Sequence, residues 1–220
     1  MISVIIAAKN ASKYIRETIE SIRKQNIKDI EIIVVCDSCT DNTKQIAQEF
    51  CCKVAEVNFS CISKTRNAGL NFASGEYILY IDADDILNEN SIFALYNEFI
   101  KDTSIEAVFG MTQDFISPEL SDTDKTKLKA RTDNYFGMLA GASLIKRNVF
   151  EKIGTFNESL KSGEIIDFQI RLKQKNINIK KIPVVISKRR LHNDNFGRTN
   201  KQQEFKDYLS ILRTKINKQN

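Results

Sequence analysis

"ISVIIAAKNASKYIRETIESIRKQNIKDIEIIVVC", residues 2–36, decides the architecture. Two apolar runs, "ISVIIAA" and "IEIIVVC", flank a polar segment in which Ile15, Ile19 and Ile22 recur at helical spacing, so the stretch reads as strand, helix, strand. Ser12 stands where an N-cap of that helix belongs. Both strands are apolar throughout instead of alternating with polar residues, as strands covered on both faces are. The pattern repeats downstream. "TDNTKQIAQEF" (40–50) carries Ile46, Ala47 and Phe50 on one helical face, and "KVAEVNF" (53–59), "SKTRNAGLNFAS" (63–74) and "EYILYI" (76–81) read as strand, helix and strand. Such alternation predicts an α/β fold, a parallel sheet with helices on both faces, and a ligand site beyond the carboxyl ends of the strands.

The second half is less regular. A helix is expected over 90–101, with Ile92, Leu95, Tyr96 and Phe99 on one face. Residues 112–135 are polar with little periodicity and read as a long excursion on the substrate side. A strand over 138–145, a helix over 147–153 stopped by Gly154, a helix over 164–174 and a strand over 181–187 follow. Phe205, Tyr208, Leu209, Leu212 and Ile216 then form an apolar face among lysines, which suits packing on the domain or a partner and leaves room for peripheral membrane contact.

No Pro/Gly/Ser-rich linker divides the 220 residues, so one domain is expected. No apolar stretch approaches the roughly 18 residues of a membrane span. "ISVIIAA" follows Met1 without a basic region and leads into a polar helix, so it reads as a strand and not as a signal peptide, and the expected location is the cytoplasm. Five cysteines, crowded between Cys36 and Cys61, are a poor disulfide framework and read as reduced thiols. "CDSC" (36–39) has zinc or redox spacing, but no second pair accompanies it. The net charge of +5, with lysine and arginine concentrated after residue 170, is mostly a solvated basic face and suits an anionic ligand; no nucleic-acid partner is expected.

The chemistry concentrates in "YILYIDADDILNEN" (77–90), where an apolar strand ends in Asp82, Asp84 and Asp85. Three carboxylates so close repel one another without a cationic partner. If the strand persists through Ala83, Asp82 and Asp84 project from one side and could take a hard divalent cation together with ligand phosphates. The competing reading is an acidic turn that caps the following helix.

"SVIIAAKNASKYIRETIESIRKQ", "IEIIVVCDSCTDNT", "TRNAGLNFASGEYILYIDADD" and "ASLIKRNVFEKIGTFNESLKSGEIIDFQIRL", in that order, resemble the family 2 glycosyltransferases of the GT-A fold, over residues 2 to about 195. The resemblance implies a mixed, mostly parallel sheet in a single domain. Residues 1–110 would form its nucleotide-sugar-binding half, 111–204 its acceptor-binding and catalytic half, and 205–220 an amphipathic basic helix. It implies inverting, metal-dependent transfer, with Mn²⁺ or Mg²⁺, from a UDP-linked donor to a glycan, lipid-linked or peptide acceptor. Ala7, Lys9, Asn10 and Asp37 would then line the nucleotide, Arg66 would lie near nucleotide and diphosphate, and Asp82, Ala83 and Asp84 would form the D-x-D. Asp84, Asp85 and His192 would hold the metal, with Arg190, and Arg189 beside it, toward phosphate.

Three departures stand out. Lys9 replaces a residue that is often aromatic, and Cys36 replaces the first of a frequent Asp-Asp pair. Ile165 occupies the place of the acid usually taken as the acceptor base, which leaves Glu164 and Asp167 as candidates. These two lie three apart, with Arg171 four residues beyond Asp167, so a surface ion-pair ladder is the rival reading. "DADDI" also resembles the start of haloacid-dehalogenase-like phosphatases, although that motif follows the first strand of its core. A non-catalytic sugar-nucleotide-binding protein is the third reading, motivated by Ile165.

Overall fold

In a computed structural model, residues 1–137, 140–160, 162–195, Asp207 and Ile211 are described. Four strands open the chain, β1 (Ile2–Ala8), β2 (Ile30–Asp37), β3 (Lys53–Val57) and β4 (Tyr77–Asp82), linked by helices α1 (Ile15–Arg23), α2 (Thr43–Glu49) and α3 (Ile62–Phe72). Then come β5 (Ile86–Leu87), α4 (Ser91–Lys101), β6 (Ala107–Ile116), α5 (Asp122–Thr126), β7 (Tyr135–Phe136) and β8 (Ser143–Lys146). Helices α6 (Arg147–Ile153) and α7 (Glu164–Gln174) and strand β9 (Ile179–Leu191) complete the order. One sheet runs β3-β2-β1-β4-β8-β6-β9-β5, with β7 on β6. Its first four strands are parallel, β8 is antiparallel to β4 and β6, and β9 is parallel to β6 and antiparallel to β5.

Strand alternation splits the core into two layers. Val4 and Ile6 of β1 join Ile15, Ile19, Ile92 and Leu95 on the α1 and α4 side. Ile5 joins Ile33, Val35, Leu70, Phe150 and Phe168 on the side of α3, α6 and α7. Both faces of the strands are thus buried, which is why their sequences lack polar alternation. Register aligns their carboxyl ends: Ala7 pairs with Val35 on one side and Asp82 on the other, and Asp37 pairs with Val57.

The structure departs from the sequence expectations at five places. Helix α1 begins at Ile15 without a side-chain cap, and the Ser12 N–H donates instead to Asp41 Oδ2 at 2.9 Å, because residues 9–14 are used to fasten the loop after β1 to the loop after β2. Strand β4 stops at Asp82, whose carbonyl accepts the Asp85 N–H at 3.2 Å; Ala83 lies in a turn, so Asp82 and Asp84 are not same-side strand neighbours. β5 intervenes before α4, whose N-cap is Asn90, so the acids do not cap that helix. The start of the expected excursion is strand: β6 continues to Ile116 because β9 pairs with it as far as Leu191, through bulges between Phe109 and Thr112 that break the period. The strand expected over 138–145 shortens to β8, with Gly141 in a turn ahead of it and Met138 and Leu139 outside the described residues. The apolar residues Phe205, Tyr208, Leu209, Leu212 and Ile216 also lie outside them. Among the described residues no helix is long and apolar enough to cross a membrane.

Candidate functional site

Asp37, the last residue of β2, is buried, and both its oxygens serve the chain's own donors. Oδ1 accepts the N–H groups of Phe59 (2.8 Å) and Ser60 (2.9 Å); Oδ2 accepts the Cys61 N–H (3.1 Å) and the Thr65 hydroxyl (2.7 Å). Burial alone would raise its carboxyl, but the Thr65 hydroxyl and these N–H groups hold it below the usual carboxylate range. Asp37 therefore builds the rim by fixing residues 59–65. Around it, Lys9 Nζ donates to Ser60 Oγ (3.3 Å), the Thr40 N–H donates to Asn10 Oδ1 (2.8 Å), and the Ser38 hydroxyl donates to Asn58 Oδ1 (2.6 Å). Asn10, Ser38 and Ser60 have φ of 49°, 56° and 47°, an uncommon conformation for residues other than glycine and one that recurs at ligand sites. All five cysteines are free thiols; Cys36 and Cys39 interact at this rim, and the Cys36 thiol brings Cys39 down to about 7.

Beyond β4 two charged bridges form. In the first, Arg66 of α3, 4% exposed, donates to Asp82 Oδ1 at 2.8 Å and to Glu164 at the head of α7. Glu164 is buried, whereas the Asp82 side chain remains 43% exposed at the rim. In the second, the end of β9 meets the Asp84–Asp85 turn. His192 Nε2 lies 2.8 Å from Asp84 Oδ2, and Asn195 Nδ2 donates to the same oxygen at 3.2 Å. Arg190 is committed on every side: its N–H donates to Asp85 Oδ1 (2.9 Å), Nε to the Asp84 carbonyl (2.8 Å) and the guanidinium to Ser117 Oγ and Glu17, between the rings of Tyr14 and Phe115. Arg189 is exposed. Burial, with the charges of Asp84 and Asp82, pushes the Asp85 carboxyl well above its ordinary value.

The acceptor side differs. Ile165 packs against the apolar layer beneath the sheet. Asp167 is ion-paired with Arg171 at 2.8 Å, and that guanidinium also donates to the carbonyls of Ile153, Gly154 and Thr155, tying α7 to the end of α6. The structure thus brings together Arg66, Asp82 and Glu164, and separately Asp84, Asp85, Arg190 and His192, and leaves Asp167 in a structural tie. Ala7 lies beside Asp82 in register, with Lys9 and Asn10 in the loop that follows. Tyr14, Glu17, Thr65, Glu119 and Asn195 complete the site but carry no signal in the local sequence. Glu17, for example, meets a partner 173 residues away.

Among the described residues no group of three or more His, Cys, Asp or Glu side chains forms a metal cage. Asp84 and His192, 2.8 Å apart, offer a hard oxygen and an imidazole, with Asp85 one residue along, a sparse set that fits a divalent cation whose remaining ligands would come from phosphate and water.

Comparisons with known proteins agree with this geometry. Glycosyltransferase GlyG of Streptococcus pneumoniae is 36% identical over 116 residues, half of this chain and 38% of that protein. Chondroitin synthase of Pasteurella multocida is 24% identical across the whole chain but over 23% of its own length. The chain therefore spans well under half of these relatives. The crystal structure of S. aureus TarS 1–349 in complex with UDP-GlcNAc superposes with a TM-score of 0.70 at 24% identity, over 88% of this chain and 59% of that one, which shows the GT-A fold. The family model described as glycosyl transferase family 2 matches residues 3–154. The chain belongs to glycosyl transferase family 2.

Proposed function

We propose that this protein transfers a sugar from a UDP-linked donor to an acceptor nucleophile, with inversion at the anomeric carbon and with Mn²⁺ or Mg²⁺ as cofactor. The observation that carries the reading is the Asp82–Asp85 turn at the end of β4, held from one side by Arg66 and faced from the other by Arg190 and His192. Residues 1–110 are the donor half and 111–204 the acceptor half; glycans, lipid-linked intermediates and peptides are the acceptor classes. Asp84 and His192, supported by Asp85, would hold the cation. When bound, the cation supplies charge neutralisation to the departing diphosphate. Arg66 fixes Asp82 toward the ribose and Arg190 fixes the turn, while Lys9, Asn10 and the loop organised by Asp37 border the base. Glu164, closed by Arg66, positions that arginine.

Thermal unfolding with UDP, GDP or UDP-GlcNAc, with and without Mn²⁺, tests the reading. UDP at about 100 times its Kd should stabilise the protein by about 2.7 kcal/mol in the presence of metal. Asp84→Ala should remove that gain. A protein indifferent to every nucleotide in the presence of Mn²⁺ would overturn the proposal. Ile165 favours a second reading, sugar-nucleotide binding without transfer, which would give the stabilisation but no UDP release. A phosphatase is disfavoured, because its nucleophile would be Asp82, which ends the fourth strand instead of the first and is paired with Arg66.

A further inference from the structure

The "CDSC" stretch, residues 36–39, takes no part in the chemistry described so far, yet it lies on the same rim. Cys36 is the next-to-last residue of β2 and is buried in the layer shared with α1 and α4. Ser38, at φ 56°, turns the chain, and Cys39 packs against that same layer. The Cys39 thiol donates to the Ala8 carbonyl at 3.5 Å, and Ala8 is the residue that pairs with Cys36 between β1 and β2. The two side chains thus meet over one register position, in hydrogen-bonding contact. The pair is asymmetric. Cys36 is 2% exposed, and its contact with Cys39, together with burial, pushes its thiol up. Cys39 is half-buried, and the Cys36 thiol, assisted by the Asn10 N–H, brings it down to about 7 against the opposing effect of burial. A partly exposed, readily ionised thiol beside a shielded one is the arrangement of an attacking and a resolving cysteine. The other cysteines lack it: Cys51 and Cys52 precede β3, at the opposite end of the strands, and Cys61 faces the Glu158 carbonyl at 4.0 Å.

We propose that Cys36 and Cys39 are a redox-modification site, joined by peroxide into a reversible disulfide that weakens nucleotide binding at the adjoining rim. The effect on binding rests on the nucleotide-sugar reading; the disulfide does not. In the first step the Cys39 thiolate attacks one oxygen of hydrogen peroxide, the O–O bond breaks, and Cys39 becomes a sulfenic acid while the other oxygen takes a proton and leaves as water. The Cys36 sulfur then bonds to the Cys39 sulfur, the S–O bond breaks, and the proton of Cys36 leaves with the hydroxide as a second water. Two thiols are oxidised to one disulfide and the peroxide is reduced to two waters; a dithiol reverses the bond by exchange. Closure brings the sulfurs to about 2.05 Å, so Cys39 must leave Ala8 and Asn10. Its neighbours are tied to the loop after β1, the Thr40 N–H to Asn10 Oδ1, the Ser12 N–H to Asp41 and the Ala11 N–H to Thr43 Oγ1. Between the sulfurs lie Asp37, which gathers the N–H groups of residues 59–61, and Ser38, which donates to Asn58. The disulfide ring therefore pulls on both loops that border the base.

Three samples test this: reduced protein, protein treated with hydrogen peroxide, and treated protein returned to dithiothreitol. Each is alkylated and peptide-mapped, and each is titrated with UDP in the presence of Mn²⁺. The map of the treated protein should show Cys36 joined to Cys39. Its Kd for UDP should rise about tenfold, the equivalent of one or two hydrogen bonds lost from the rim, and dithiothreitol should restore it. Cys39→Ser, which removes the attacking thiol, should keep its UDP affinity in peroxide. A map in which Cys36 and Cys39 are both still alkylated after peroxide would overturn the disulfide. A bridged protein whose Kd for UDP stays within about twofold of the reduced value would overturn the effect on binding. So would a Cys39→Ser protein that loses affinity in peroxide as the parent does. A reduced parent that binds no nucleotide overturns the effect on binding together with the nucleotide-sugar reading, while the map still decides the disulfide.

Discussion

Arg66 shows how much one side chain can fix at this site. Its guanidinium is buried and neutralises two carboxylates from different elements, Asp82 at the end of β4 and Glu164 at the start of α7. Removing one partner of a buried pair leaves an uncompensated charge. Arg66→Ala should therefore cost about 3–5 kcal/mol in urea denaturation. Replacing the pair together, Arg66→Met with Glu164→Leu, should recover most of that loss, because an apolar pair of similar volume carries no desolvation penalty. A double variant as unstable as the single one would sink this account. The types of these residues are legible in the sequence, since arginine and clustered aspartates announce anionic and cationic partners. Their pairings are not: Asp37 spends both oxygens on residues 59–65, and Arg190, with the look of a phosphate ligand, is consumed by the Asp84–Asp85 turn and Glu17.

At the scale of elements, α3 carries Arg66 and lies on β1 and β2, and Gly69 is where it comes closest. A Cβ there would fall inside contact distance of Ile5 Cγ2 and 3.2 Å from Val35 Cγ2. Alanine would gain about 1 kcal/mol of helix propensity, but overpacking a close-packed layer costs about 1–3 kcal/mol. Gly69→Ala should be net destabilising, by about 1 kcal/mol, seen as a lower urea midpoint at unchanged slope. A raised midpoint would show that α3 can shift off the sheet. Strands β1 to β4 and helices α1 to α4 are legible because a local signal decides each of them, an apolar run for the strands and a helical period for the helices. The outer half of β6, with Thr112, Gln113 and Asp114, and the end of β9, "SKRRL", are not, since neither has an apolar alternation of its own. Each becomes strand by pairing with the other, and that pairing carries Arg190 and His192 to the site.

Over the whole molecule, three carboxylates knit distant segments and set the response to acid. Burial alone would raise each, but hydrogen bonds hold each down to about 2. Glu31 on β2 accepts from Lys53 on β3, Ser3 on β1 and Ser74 and Gly75 before β4. Asp41 accepts from Ser12 and Thr43, and Glu119 from Lys13, Tyr14 and Ser117. Because these folded values lie below the ordinary 4.5 and 3.8, their stabilisation is complete above about pH 4.5 and is lost as pH falls toward 2. Asp85 acts in the opposite sense, since its raised carboxyl favours the fold when protonated, but it is one group against these three and Asp37. Below pH 4 the 33 lysines and arginines also lose their counter-charges and repel one another. Glu31, with a side chain only 10% exposed, should dominate this acid limb. Glu31→Gln should lower stability at pH 7 by about 2–3 kcal/mol, less at pH 3, and flatten the fall between pH 4.5 and 2. Urea denaturation at pH 7, 4 and 3 measures this, and an acid slope as steep in Glu31→Gln as in the parent would mean that the Glu31 network does not set the limb.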